Sequence, residues 1–117
     1  MMTELDRFQD IIGYKFKDVN YLIQALSHSS YANEKKKTRT SNERLEFLGD
    51  SVLSIVVSKY LFENFTHIAE GELTKLRASL VCEKSLHIFA QKIKLGEFIM
   101  LGKGEEITGG RERPSIL

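Results

Sequence analysis

Asn42-Glu43-Arg44-Leu45-Glu46-Phe47-Leu48-Gly49-Asp50-Ser51-Val52-Leu53 sits at the start of the longest helical pattern in the chain. Thr40-Ser41-Asn42-Glu43 has the Thr-x-x-Glu form of a capping box, which predicts a helix start there. Apolar residues continue through Ile55, Val56, Val57, Leu61 and Phe62 and cover most of the circumference. A helix that is apolar nearly all round is expected in the middle of a domain. Against that background Glu43, Glu46 and Asp50 stand at i, i+3 and i+7, within an arc of about 60° on one face. Three like charges on a buried stripe repel one another and lose solvation. A hard divalent cation such as Mg²⁺, which takes carboxylate oxygens, is the simplest compensation. The alternative is a solvated acidic stripe with Arg44 or another basic partner beside it. Gly49, next to Asp50, costs about 1 kcal/mol against Ala in a helix interior. It is expected to mark a close approach by a neighbouring helix, a partner subunit or a phosphate.

Working outward, the same periodicity predicts further helices. Thr3 and Asp6 form a capping pair, Leu5, Phe8, Ile11 and Ile12 mark an inward face, and Gly13 ends the first helix. Asp18 is the expected N-cap of a second, with Val19, Leu22, Ile23 and Leu26 inward, running to about His28. Asn33 to Ser41 is polar and carries Lys35, Lys36, Lys37 and Arg39, so it reads as a solvated loop or a phosphate contact. Glu70-Gly71-Glu72 precedes one helix over residues 73–92, with Leu76, Leu80, Val81, Leu86, Ile88 and Phe89 on its apolar side and Cys82 as a small core residue. Residues 101–106 and 109–113 read as an exposed glycine-rich loop, and Pro114-Ser115-Ile116-Leu117 as the opening of one more helix. Strand-type alternation is scarce, so the fold class is all-α.

Composition narrows the functional classes. At 117 residues the chain is one domain, 1–117, and its 42% hydrophobic content excludes a disordered or fibrous protein. One cysteine excludes a disulfide-stapled secreted scaffold and suits a reducing compartment. There is no run of 18 apolar residues, and the N-terminal MMTELDRFQD lacks the apolar core of a signal peptide. A cytoplasmic protein without membrane contact is therefore expected. Lys+Arg 17 against Asp+Glu 16 leaves 17 − 16 = +1, so any nucleic-acid contact must use local basic patches. His28, His67 and His87 have no metal-ligand spacing with Cys82, which argues against zinc. Ser27, Ser29 and Ser30 near His28 form no Ser–His motif, and the glycines of 101–110 match neither phosphate-loop nor dinucleotide patterns.

The string Asn42 to Leu53 resembles the signature motif of the ribonuclease III family. Residues 25–34 (ALSHSSYANE), 70–81 (EGELTKLRASLV), 101–106 and 109–117 are similar, in the same order, to other family segments. The resemblance covers essentially the whole chain. It implies an all-α, ribonuclease III endonuclease-like helical domain that works as a homodimer on double-stranded RNA, in processing of rRNA, tRNA and mRNA precursors. It maps Glu46 and Asp50 onto metal-ligand and active-site positions, Glu43 onto a supporting acidic position, and Phe47 onto an aromatic at the dimer contact. The implied cofactor is Mg²⁺, with Mn²⁺ as a substitute. The implied chemistry is in-line attack by an activated water, leaving a 5′-phosphate and a 3′-hydroxyl. Lys35, Lys36, Lys37, Arg39, Lys103, Arg111 and Arg113 become candidate phosphate contacts.

The family carries two further acids on the helix that Ser115 opens, and bacterial members usually continue into a double-stranded-RNA-binding domain. This sequence stops at Leu117. The expectation is a C-terminally incomplete nuclease domain with an open apolar face. The competing reading is a non-catalytic dimerisation or RNA-associated module that keeps the fold without half of the metal site.

Overall fold

The computed structural model describes residues 2–35, 40–113 and 116. Eight helices follow in order: α1 Glu4–Ile12, α2 Val19–Ala25, α3 Ser29–Glu34, α4 Glu43–Asn64, α5 Glu70–Val81, α6 Glu83–Lys92, α7 Leu95–Phe98 and α8 Lys103–Ile107. A 3-10 turn spans Gly110–Glu112. Among the described residues there is no strand, only an isolated parallel bridge between Ser27 and Met100. The all-α class holds.

Local chemistry explains α1. The Thr3 hydroxyl accepts from the Asp6 N–H, Asp6 Oδ2 accepts from the Thr3 N–H, and Gly13 closes the helix at φ 72°. The Thr3 backbone N–H first, and the Thr3 hydroxyl second, hold the Asp6 carboxyl below the usual carboxylate range. That stabilisation is present above about pH 4 and is lost as pH falls through the lowered folded value. Thr3→Ala is expected to cost about 1 kcal/mol in urea denaturation at neutral pH, and less in acid. An unchanged midpoint at neutral pH would contradict the cap's contribution.

Phe8, Leu22, Leu26 and Phe98 form the core, with Leu5, Ile12, Phe16, Ile93, Leu95 and Met100 packed against it. Phe8 and Phe98 meet as tilted rings 5.0 Å apart. The Arg7 guanidinium lies 4.8 Å over Phe98 while pairing with Glu4 and Glu97. The core is thus α1, α2 and the segment around α7, which helical periodicity alone does not single out.

Five expectations are corrected. First, the long helix α4 is not central. It packs mainly against α5, and most of its apolar residues are exposed, with Leu61 its only buried residue among those described. The chain supplies one neighbour along most of its length, so a helix apolar all round keeps its other sides open. The Cα radius of gyration, 16.3 Å, accordingly exceeds the ~13 Å of a compact domain of this size. Second, the expected helix over 73–92 is two helices, broken at Cys82 where the backbone extends (φ −72°, ψ 160°), and Cys82 is exposed rather than core. Third, residues 101–113 are not an exposed loop: Leu101, Gly102 and Gly110 are buried around α8 and the 3-10 turn. Fourth, the Thr40 capping box does not form; Asn42 is the N-cap and makes no side-chain capping bond. Fifth, the second helix ends at Ala25 rather than near His28, and helix α3 follows at Ser29–Glu34, taking in the first two residues of the expected polar loop; it is capped by the His28 side chain, which accepts from the Ser30 N–H. The expected C-terminal helix opening lies at residues 114, 115 and 117, outside the described residues.

Candidate functional site

The first turn of α4 is joined to the end of α2 by polar contacts. The Asn42 N–H donates to the Ser27 carbonyl at 2.9 Å, and the Glu46 N–H donates to the Asn42 carbonyl at 2.8 Å. Asn42 Nδ2 donates to the Ala25 carbonyl at 3.0 Å, and Gln24 Nε2 to the Ser41 carbonyl at 3.4 Å. The Ser41 hydroxyl accepts from the Glu43 N–H at 3.4 Å.

From this anchored turn Glu43, Glu46 and Asp50 line one cleft of about 910 Å³ between α4 and α6. The helical spacing therefore brings all three together on one wall, as expected. All three are exposed, and among the described residues none forms an ion pair, including with Arg44. They are not buried against their own helix neighbours, and among the described residues no basic side chain neutralises them. Opposite them Glu83 at the start of α6 adds a fourth carboxylate, with Leu53, Leu86 and Ile99 as apolar lining. Sequence reasoning missed Glu83, because the break at Cys82 that starts α6 there was read as helix interior.

Oxygen donors of this kind suit a hard cation. Mg²⁺ characteristically takes one or two carboxylates and completes its shell with water and phosphate oxygens. Glu46 and Asp50, four apart on one helix face, match that donor set, with Glu43 one turn away. A cage made by protein alone is not present: among the described residues no three His, Cys, Asp or Glu side chains converge closely enough to hold a metal.

Gly49 also lines the cleft, but apart from its chain neighbours and its own helix backbone no atom of the described residues lies within 4 Å of where its Cβ would be. Among the described residues, the close approach expected there is not made. Phe47 projects beside the acids and is 82% exposed; Leu48, Val52 and Ile55 continue an open apolar face along α4.

The basic candidates are dispersed. Arg111 pairs with Glu106 and donates to the carbonyls of Gly96 (3.1 Å) and Ile99 (2.5 Å). Arg113 pairs with Glu105 at 2.8 Å and reaches Thr108. Both tie α8 and the 3-10 turn together, which disfavours them as phosphate contacts. Lys103 is exposed at the start of α8, and Lys35 ends α3. Lys36, Lys37 and Arg39 lie outside the described residues. No helix among the described residues is long and apolar enough to cross a membrane.

The family described as Ribonuclease-III-like matches residues 18–117. Ribonuclease 3 of Bacillus cereus (strain AH187) is 59% identical over 111 residues, 94% of this chain. Ribonuclease 3 of Bacillus anthracis (strain A0248) is similar to the same degree. The chain spans about half the length (45%) of these curated relatives. Two solved structures of the nuclease domain of ribonuclease III from Campylobacter jejuni are each 50% identical. One, concerned with structural flexibility in the region involved in dimer formation, superposes with a TM-score of 0.88 over 97% of this chain and 76% of that one. The other gives 0.86 over 98% and 75%.

Proposed function

Because this chain belongs to the ribonuclease-III-like family, we propose that it forms the nuclease part of an endoribonuclease that cuts double-stranded RNA, as a homodimer in the cytoplasm. The observation that carries this reading is the wall of Glu43, Glu46 and Asp50, exposed along one cleft with no cationic side chain paired to them among the described residues. Three bare carboxylates repel a polyanion, so an RNA-cutting role for this cleft requires a divalent cation between acid and phosphate. Glu46 and Asp50 would hold Mg²⁺ or Mn²⁺, with Glu43 in support. When bound, the ion supplies a water of lowered pKa and neutralises charge on the scissile phosphate.

The chain's own part is positional. Glu46 and Asp50 keep fixed helical spacing, and the rigid helix holds them ready before the duplex arrives. The duplex is read through phosphates and 2′-hydroxyls rather than base edges, as the wide, shallow minor groove of A-form RNA dictates. Cleavage leaves a 5′-phosphate and a 3′-hydroxyl, which suits processing of rRNA, tRNA and mRNA precursors. The test is a perfect RNA duplex beside its separated strand. The duplex alone is expected to be cut, with 5′-phosphate ends, and equal cutting of the single strand would contradict the proposal.

Phe47 and the apolar face that continues along α4 form the homodimer surface in this reading. Isolated large apolar groups are ordinary on proteins, but a contiguous open face marks an association site. Phe47→Asp is expected to shift the chain from dimer to monomer in sedimentation velocity, with unchanged helical content. A dimer of unchanged strength would contradict this.

A second reading, a non-catalytic module of the same fold, is favoured by one observation: no three metal-ligating side chains converge among the described residues. The duplex assay separates the two readings.

A further inference from the structure

We propose that Asn42 is a positioning residue, which anchors the start of α4 to the end of α2 and so sets where Glu46 and Asp50 stand; this rests on the nuclease reading of the cleft. Asn at a helix N-cap ordinarily turns its side-chain oxygen onto the N–H groups of its own first turn. Asn42 does not: at φ −85°, ψ 2° it makes no side-chain capping bond. It instead donates Nδ2 to the Ala25 carbonyl at 3.0 Å, 17 residues away, while its N–H donates to the Ser27 carbonyl at 2.9 Å. Its own carbonyl accepts the Glu46 N–H at 2.8 Å, so the anchor and the acid share one hydrogen-bonded turn.

The anchor matters because, besides the Asn42 N–H to Ser27 and Gln24 Nε2 to Ser41 bonds, this end of α4 has no other polar tie to α2 among the described residues. The helix is exposed on most sides and packs mainly along α5. Asp50 lies eight residues beyond Asn42, about 12 Å along the axis. A tilt of about 10° at the anchor would move its carboxylate by about 2 Å. The spacing of Glu46 and Asp50 on their shared helix is unchanged by such a tilt, but their distance to Glu83 on the α6 wall of the cleft is not. A small loosening at Asn42 therefore moves the acidic wall relative to α2 and α6 without unfolding the helix.

Serine separates positioning from simple capping. It caps as well as asparagine but is too short to reach the Ala25 carbonyl. If Asn42 served only helix stability, Asn42→Ser would behave as wild type. The experiment has two arms on the full chain. In the first, nitroxides replace exposed Asn20 on α2 and Lys59 on α4 in a Cys82→Ser background, and their separation is measured by double electron–electron resonance. Asn42→Ser and Asn42→Ala are both expected to shift or broaden the distance distribution, with unchanged helical content. A distribution in Asn42→Ser identical to that of Asn42 overturns the proposal, whatever the metal does. In the second arm, Mn²⁺ binding is followed by loss of the free-ion resonance. Both variants are expected to keep the affinity of the unsubstituted chain, because Glu46 and Asp50 move together on α4. A loss of affinity in Asn42→Ser would mean that α4 itself had distorted rather than moved, and would also overturn the proposal. Failure of the unsubstituted chain to bind Mn²⁺ would sink the metal reading of Glu46 and Asp50, while the distance arm still decides the role of Asn42.

Discussion

Asp50→Asn is expected to abolish metal-dependent cleavage of an RNA duplex while leaving fold and dimer intact. The substitution keeps the size and shape of the side chain and removes its charge. Asp50 is exposed and makes no ion pair among the described residues, so the folded state loses no contact there. Exposed changes of this kind stay within about 0.5 kcal/mol, and the melting temperature should move by no more than a few degrees. Activity should respond very differently. Loss of groups that only orient metal ligands costs about 10–100-fold, so loss of a ligand itself should exceed about 100-fold, or ~2.7 kcal/mol of barrier. Single-turnover cleavage and a thermal melt on the same preparation check both halves. Native-rate cutting by Asp50→Asn would remove Asp50 from the site, and a collapsed melt would make it structural instead.

Gly102→Ala is expected to have the largest effect on stability. The backbone of Gly102 is ordinary (φ −69°, ψ 161°), so its need for glycine is spatial, not conformational. A Cβ there would stand 2.8 Å from the Ser30 carbonyl oxygen and 3.0 Å from its carbon, besides colliding with Glu34 Oε2. Backbone atoms of α3 cannot swing aside as a side chain can. Moving them would also stretch the Gly102 N–H to Ser30 Oγ bond (2.8 Å) and the Lys103 N–H to Glu34 Oε2 bond (2.7 Å), which join α3 to α8. Overpacking of this kind costs about 1–3 kcal/mol, and at the upper end the melting temperature should fall by roughly 10 °C. Gly104→Ala is the control: beyond its chain neighbours and its own helix backbone, no described residue lies within 4 Å of its Cβ position, and alanine is the better helix former in α8. Equal melts for the two variants would contradict this account of the α3–α8 junction.

What could be read from the residues was local. Thr3, Asp6 and Gly13 bound α1 because capping depends on neighbours three or four residues apart. Glu43, Glu46 and Asp50 fall on one wall because helical spacing alone decides which side chains share a face. What failed depended on partners distant in sequence. The apolar pattern of α4 says that the helix needs cover on all sides, but not that α5 is its main partner among the described residues. The Thr40-Ser41-Asn42-Glu43 spacing permits a capping box, but the Ala25 carbonyl claims the Asn42 amide and the ordinary cap is not made. Residues 93–101 are too short and mixed to show a period, yet Phe98, Ile99 and Leu101 are among the most buried side chains. Glu83 joins the acidic cleft only because the chain breaks at Cys82 and turns α6 back toward α4.

The most direct test of the central claim is cleavage of a perfect RNA duplex by this 117-residue chain, with Mg²⁺, with EDTA, and with Mg²⁺ restored in excess. The account predicts cutting with Mg²⁺, none with EDTA, and recovery when the ion returns. Cutting that persists in EDTA would contradict a metal held by Glu46 and Asp50. No cutting under any of the three conditions, with the dimer intact, would assign this chain to the non-catalytic reading.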